Sequence, residues 1–271
     1  MNLTKAILAL GVLALASASA FASGTLFDNA ALILTFPDGS GAPGSTFMSG
    51  DQDGTYIWTC TGGFSSGLEL ARYNLDGTFS ANFDPAIDFR SIYVSNSGQL
   101  YAKSFCGNVY SITQSGVSTL LYAIADFDCQ SAGSLNGDDS ELLTMSNGTV
   151  YRYNAANGAS LGSFGLIGYG VGSEFNYPDN VQMETNETGR ILTFSNSTIS
   201  EWDYAGNRIG QCSVALDTPN GFDTIFSFGV GNDNLIYIYN ESNNYWELYD
   251  VGLGGVTSTE DSSWSQVKSL F

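Results

Sequence analysis

The near-regular spacing of apolar stretches constrains this chain more than any single motif. YIWTC at 56–60, LYAKSF at 100–105, ELLTM at 141–145, RILTF at 190–194 and LIYIY at 235–239 recur along it. Trp58, Tyr101, Leu143, Leu192 and Ile236 stand 43, 42, 49 and 44 residues apart. After a polar turn comes a strand-like stretch rich in aromatic and β-branched residues: LELARYN, NVYSITQ, TVYRYNA, TISEWDY and NYWELYD. Their side chains alternate with the period of two expected of strands. A second turn follows (LDG at 75–77, QSG at 114–116, ANG at 156–158, AGN at 205–207), and then a third strand. A more variable strand precedes each unit, as in RSIYVS at 90–95, NVQMET at 180–185 and DTIFSF at 223–228.

Four short antiparallel strands in roughly 44 residues make a propeller blade, and stacked blades bury faces that one blade alone leaves wet. The fold class is therefore all-β, a β-propeller. The stretch SNGTVYRYN at 146–154 reads as a central hairpin. Asn147-Gly148 is its turn, Tyr151 and Tyr153 face a neighbouring sheet, and Arg152 points the other way. Five units cover about 45 to 260, leaving TLFDNAALILTF at 25–36 and the terminal SSWSQVKSLF. These leftovers either close a five-bladed ring or form a divergent extra blade. Six blades are expected, with five and seven as the alternatives.

Residues 1–22 are set apart from the fold. Lys5, the apolar run AILALGVLALASASA and the Ala20-Phe21-Ala22 pattern describe a secretory signal peptide cleaved after Ala22, with Ala20 as the alternative. One propeller domain over 23–271 remains, in a secreted or periplasmic protein, with no later stretch of membrane-helix length. Beyond the signal, 27 acidic residues stand against 7 basic ones. That balance opposes nucleic acid and anionic membrane as partners.

Histidine is absent, which removes the usual general base at neutral pH and any Ser-His-Asp triad. No serine lies in a G-x-S-x-G elbow. Cys60, Cys106, Cys129 and Cys212 are disulfide candidates in an oxidising compartment, and spacing does not choose among the pairings.

Carboxylates are the remaining chemistry. Asp51 and Asp53 beside Gly54, and the adjacent Asp138 and Asp139, supply hard oxygen ligands for calcium, without the closing Glu of an EF-hand loop. Asp84, Asp88 and Arg90 precede the inner strand of the second unit, and Glu174, Asp179 and Asp223 hold similar places later. In a propeller such positions rim the central channel, where carboxylates can bind a ligand or act as an acid/base pair. Phe175, Tyr177, Tyr245 and Trp246, in or beside loops, are candidates for an aromatic platform. Asn147, Asn186, Asn196 and Asn240 begin glycosylation sequons.

The inner strand, Gly/Asn turn and following strand of the NVYSI and TVYRY type resemble the secreted bacterial propeller proteins of the NHL, TolB-like and quinoprotein-like repeat groups. The likeness covers about 45 to 260 and lacks the paired GH and WD of a WD40 blade. It implies the propeller fold and carries over no catalytic residue. The functional expectation is an exported, non-catalytic binding module for a glycan or an extracellular protein. The alternative is a calcium-dependent propeller hydrolase of lactonase or glycosidase type.

Overall fold

The computed structural model describes residues 30–39, 46–63, 67–170, 182–186, 188–217 and 222–253. Its first strand, β1 (Ala31–Pro37), belongs to the last blade. The first blade holds β2 (Thr46–Gln52), β3 (Tyr56–Gly62), β4 (Leu70–Asn74) and β5 (Phe79–Phe83). The second holds β6 (Phe89–Val94), β7 (Leu100–Ser104), β8 (Asn108–Ile112) and β9 (Ser118–Ala123). The third has β10 (Gly133–Leu135), β11 (Glu141–Ser146), β12 (Thr149–Asn154) and β13 (Ser160–Gly165). The fourth has β14 (Met183–Thr185), β15 (Ile191–Ser195), β16 (Thr198–Trp202) and β17 (Arg208–Ser213). In the fifth, β18 (Phe228–Val230), β19 (Leu235–Asn240) and β20 (Tyr245–Asp250) are completed by β1 at the outer edge.

The described chain is thus a five-bladed propeller, one blade fewer than expected. The segment assigned to a divergent extra blade closes the fifth, with Ala31 opposite Asp250 and Phe36 opposite Trp246. The terminal SSWSQVKSLF lies outside the described residues. DTIFSF, expected as a strand, divides into a short helix α1 (Phe222–Phe226) and the three-residue β18.

Apolar side chains gather into clusters between neighbouring blades. Trp58, Cys60 and Leu70 of the first blade meet Phe89, Ile92 and Leu100 of the second. Leu192 and Phe194 of the fourth meet Phe228 and Ile238 of the fifth. A blade's second strand is covered on both faces, so LIYIY is buried throughout, while the outer β5 is largely wet. This double burial explains why the second strands give the clearest echo in the sequence.

Serines stitch the innermost strands together. An innermost strand has one unpaired edge, whose N–H and C=O groups need partners. The Ser49 hydroxyl accepts from the Ile92 amide at 2.7 Å. Ser91 Oγ accepts from Gly133 N at 2.8 Å and donates to its carbonyl at 2.9 Å. Between the fifth and first blades the approach is closer still. A Cβ on Gly229 would lie 1.9 Å from the Gly50 carbonyl oxygen, so only glycine fits.

The hairpin at 146–154 is built as expected. Asn147 and Gly148 have φ of 47° and 73°, the two left-handed residues of a tight hairpin turn, between the paired Ser146 and Thr149. Tyr153 is buried with Tyr93 and Val109 of the second blade, and Tyr151 stacks on Phe127 at 4.1 Å. Arg152 instead donates to Glu141 at 2.7 Å.

Candidate functional site

The innermost strands run in one direction along the channel, so their ends define two different mouths. At the C-terminal mouth each blade presents the turn between its first and second strands. A left-handed residue recurs there: Gly54, Gly98, Asp139, Gly189 and Asn234. Asp51 is buried at this end, and its carboxylate accepts from Val94 N at 2.6 Å and Asn232 N at 3.2 Å. One side chain thereby ties the first blade to the second and the fifth. Burial pushes its pKa well up, opposed by these backbone hydrogen bonds.

Glu184, 1% exposed, sits beneath the same mouth; burial raises its pKa well above the usual carboxylate range, and the negative charge of Asp51 adds to this. The recess above, lined by Asp51, Tyr93, Asn136, Asn186 and Asn232 among others, measures about 20 Å³. That is room for a single water. Glu184 Oε1, Tyr93 Oη and Asn186 Nδ2 reach no hydrogen-bond partner in the protein. The Asn186 Oδ1 already accepts from Arg190 N at 2.9 Å, which leaves its N–H₂ as a donor. A mixed set of donors and acceptors suits water better than a bare cation.

Two of the calcium candidates, Asp51 and Asp139, line this same recess, but each carboxylate is already engaged by backbone N–H groups. Asp53 accepts from Thr55 N and Tyr56 N at 2.8 Å each, and from Trp58 Nε1 at 2.8 Å, so it locks its own turn. Burial pushes the Asp53 carboxyl up, but hydrogen bonds from Gln114, Tyr56, Trp58 and Thr55 outweigh it and hold the pKa low. Asp138 accepts from Ser140 N at 3.1 Å, and Asp139 accepts from Asn96 N of the second blade at 2.9 Å. Among the described residues no three Asp, Glu or Cys side chains lie close enough to share a metal ion.

The opposite mouth carries the connections between blades and the hairpins between second and third strands. Here Asp88 and Arg90 come together, at 2.8 Å, as their spacing before an inner strand suggested. The Asp88 carboxylate also accepts from Gly63 N at 2.9 Å. Arg90 donates to Gln130 Oε1 at 2.5 Å, and its guanidinium lies 4.8 Å from the centre of the Phe105 ring. Gly63, Leu68, Ala86, Asp88, Arg90, Phe105 and Gln130 line an open recess of about 590 Å³. Phe105 is 41% exposed, whereas Arg90 is buried.

A disulfide frames this recess. Cys106 and Cys129 are joined across 23 residues, which fixes Phe105 beside one sulfur and Gln130 beside the other. Behind it, Lys103 is fully buried and pairs with Asp126 at 2.6 Å while donating to the Ser131 carbonyl at 2.6 Å. Burial lowers the Lys103 pKa, and the charge of Asp126 works against the loss. Cys60 and Cys212 are free thiols, buried in different blades, and burial pushes both up to about 12.

The other expected residues are dispersed. Asp84 caps its own turn by accepting from Ala86 N at 2.8 Å. Asp223 opens α1, where burial and the neighbouring Glu241 push its carboxyl up to about 6. Glu174, Asp179, Phe175 and Tyr177 lie outside the described residues. Tyr245 is partly exposed, but the platform assignment of Trp246 is corrected. Its neighbour along β20 faces outward, so alternation turns Trp246 into the core against Phe47 and Tyr239. Sequence reasoning missed Phe105 and Gln130, whose signal was adjacency to cysteines that the fold pairs. It also missed Lys103, a charge inside an otherwise apolar second strand.

No protein-family model matches the chain, and no curated protein matches it. Solved structures do. A Bacteroides thetaiotaomicron protein of unknown function aligns with a TM-score of 0.51 at 10% identity, over 83% of this chain and 61% of that one. The chain thus spans about three-fifths of that protein's length. A gluconolactonase from Xanthomonas campestris aligns at 0.42 and 13% identity, over 72% of this chain and 68% of that one. The WD40 β-propeller domain of Doa1 aligns at 0.43 and 9% identity, over 75% and 78%. At such identities the likeness concerns architecture alone, and the architecture of this chain is that of a β-propeller.

Proposed function

We propose that the chain is an exported, non-catalytic binding module that holds a glycan or protein ligand on the mouth carrying Arg90 and Phe105. The observation that supports this is the contrast between the two ends of the channel. The recess at the disulfide mouth has the volume of a small-molecule site, with one aromatic rim residue and convergent polar groups. The recess at the far mouth holds no more than a water. The disulfide suits the oxidising compartment that a signal peptide cleaved after Ala22 would deliver the chain to.

The test is a screen of the processed, oxidised protein against glycans and co-exported proteins, repeated with Phe105→Ala. A ligand lost on that change supports the module. Binding that survives it unchanged puts the ligand elsewhere.

One feature favours the acid/base half of the alternative, a calcium-dependent hydrolase. Burial and the neighbouring Glu241 push the Asp223 carboxyl up to about 6, the direction a general acid needs. Turnover of a lactone or glycoside that disappears in Asp223→Asn would move the assignment to an enzyme.

A further inference from the structure

Taking the binding module above as its premise, we propose that the Arg90–Phe105 recess takes one neutral hexose unit of a glycan and rejects acidic sugars. The walls carry the argument. Phe105, held by the adjoining disulfide and with the Arg90 guanidinium beside its ring, keeps exposed ring surface for the apolar C–H face of a sugar. Ala86 and the edge of the buried Leu68 adjoin it. Planar polar groups stand beside it. The Asp88 carboxylate uses one hydrogen bond on each oxygen, to Gly63 N and to Arg90, and keeps lone pairs for a sugar hydroxyl. Arg90 Nε has no hydrogen-bond partner in the protein, although the atom is buried. Gln130 anchors the same guanidinium from the other side.

The backbone at the rim is also held in an uncommon state. Ala86 has φ of 50°, a left-handed conformation that costs an alanine free energy and that tends to cluster at ligand sites. Asp84 pins it by accepting from the Ala86 amide.

Charge decides the class of sugar. The ion pair of Arg90 with Asp88 leaves the recess close to neutral, so no unpaired cation awaits an anion. Around it the whole chain bears 27 acidic and 8 basic residues. A uronate or sulfated unit would bring its charge against that field and beside Asp88, which disfavours it. A neutral ring with vicinal hydroxyls meets no such opposition.

The experiment uses the processed, oxidised chain in titration calorimetry with neutral malto-, cello- and manno-oligosaccharides. Oligouronates of matched length and the co-exported proteins form the other arms. The expected result is saturable binding of at least one neutral series, with the matched oligouronate at least tenfold weaker. Phe105→Ala should weaken the neutral sugar at least tenfold and Phe105→Trp should restore it, which separates stacking from loss of fold. Equal binding of neutral and acidic sugars, both lost in Phe105→Ala, overturns the neutral selectivity and leaves the binding site standing. Neutral-sugar binding that ignores Phe105 overturns the placement. A protein partner lost on Phe105→Ala, with no sugar bound, overturns the hexose and retains the module. No ligand in any arm overturns both.

Discussion

Gly229 and Gly50 lie so close that a single added Cβ would come within 1.9 Å of a carbonyl oxygen. This contact joins the last innermost strand to the first, and it sets how tightly five blades can close.

Gly229→Ala should therefore destabilise the ring through backbone overlap that no rotamer can relieve. The expected loss is about 3 kcal/mol, the upper end for overpacked sites. Denaturant midpoints of the two proteins check it, and an unchanged midpoint would show that the blades can spread.

The pair of Lys103 and Asp126 should behave as a buried ion pair with little net value. Lys103→Met alone leaves a buried carboxylate without its cation and should cost about 3–5 kcal/mol. Adding Asp126→Leu should recover most of that loss. A double variant no better than the single one would contradict this account.

Asp223 gives a pH signature. Its carboxyl titrates near 3.8 in an unfolded chain and at about 6 in the fold. The folded state therefore holds the proton longer, so this contribution favours folding below the unfolded value and is lost as pH rises through the folded one. Asp223→Asn should flatten the decline between those two values, measured as melting temperature against pH.

Removing the disulfide should act through the unfolded chain. Closing a 23-residue separation is worth about 3 kcal/mol in the chain-entropy account. Cys106→Ser with Cys129→Ser should lower the melting temperature, and a reductant should reproduce the drop in the unmodified protein but not in the variant.

Calcium should produce no specific stabilisation beyond that of magnesium at matched ionic strength. Asp51, Asp53 and Asp138 already direct their oxygens to N–H donors, and binding confined to the folded state would raise its melting point. Melting curves in calcium, magnesium and EDTA decide it; a shift with calcium alone would identify a site.

The blade pattern was legible because the second strands are buried on both faces and so are mostly apolar, with only a few polar residues, most of them small, and Lys103 among them. The count was not, because β1 pairs with β20, whose residues are more than two hundred positions away, and no local pattern announces such pairing. Asp88 and Arg90 were found through their place before an inner strand. Phe105 and Gln130 were not, since it takes the Cys106–Cys129 link to bring them to one recess. Tyr245 and Trp246 show the finest limit: alternation separates neighbours, but which one faces inward depends on the register with β1. DTIFSF has strand-like composition, yet α1 forms there and hands over to β18 within two residues.

The outer place of β1 in the fifth blade also orders events in time. It precedes every other described strand in the chain, yet it has nothing to pair with until Tyr245–Asp250 exists. A nascent chain can assemble early blades but cannot shut the ring before β20 has been synthesised. A chain truncated before residue 245 would retain four complete blades, β18 and β19 of the fifth, and an unpaired β1, with exposed edges that invite pairing with other copies.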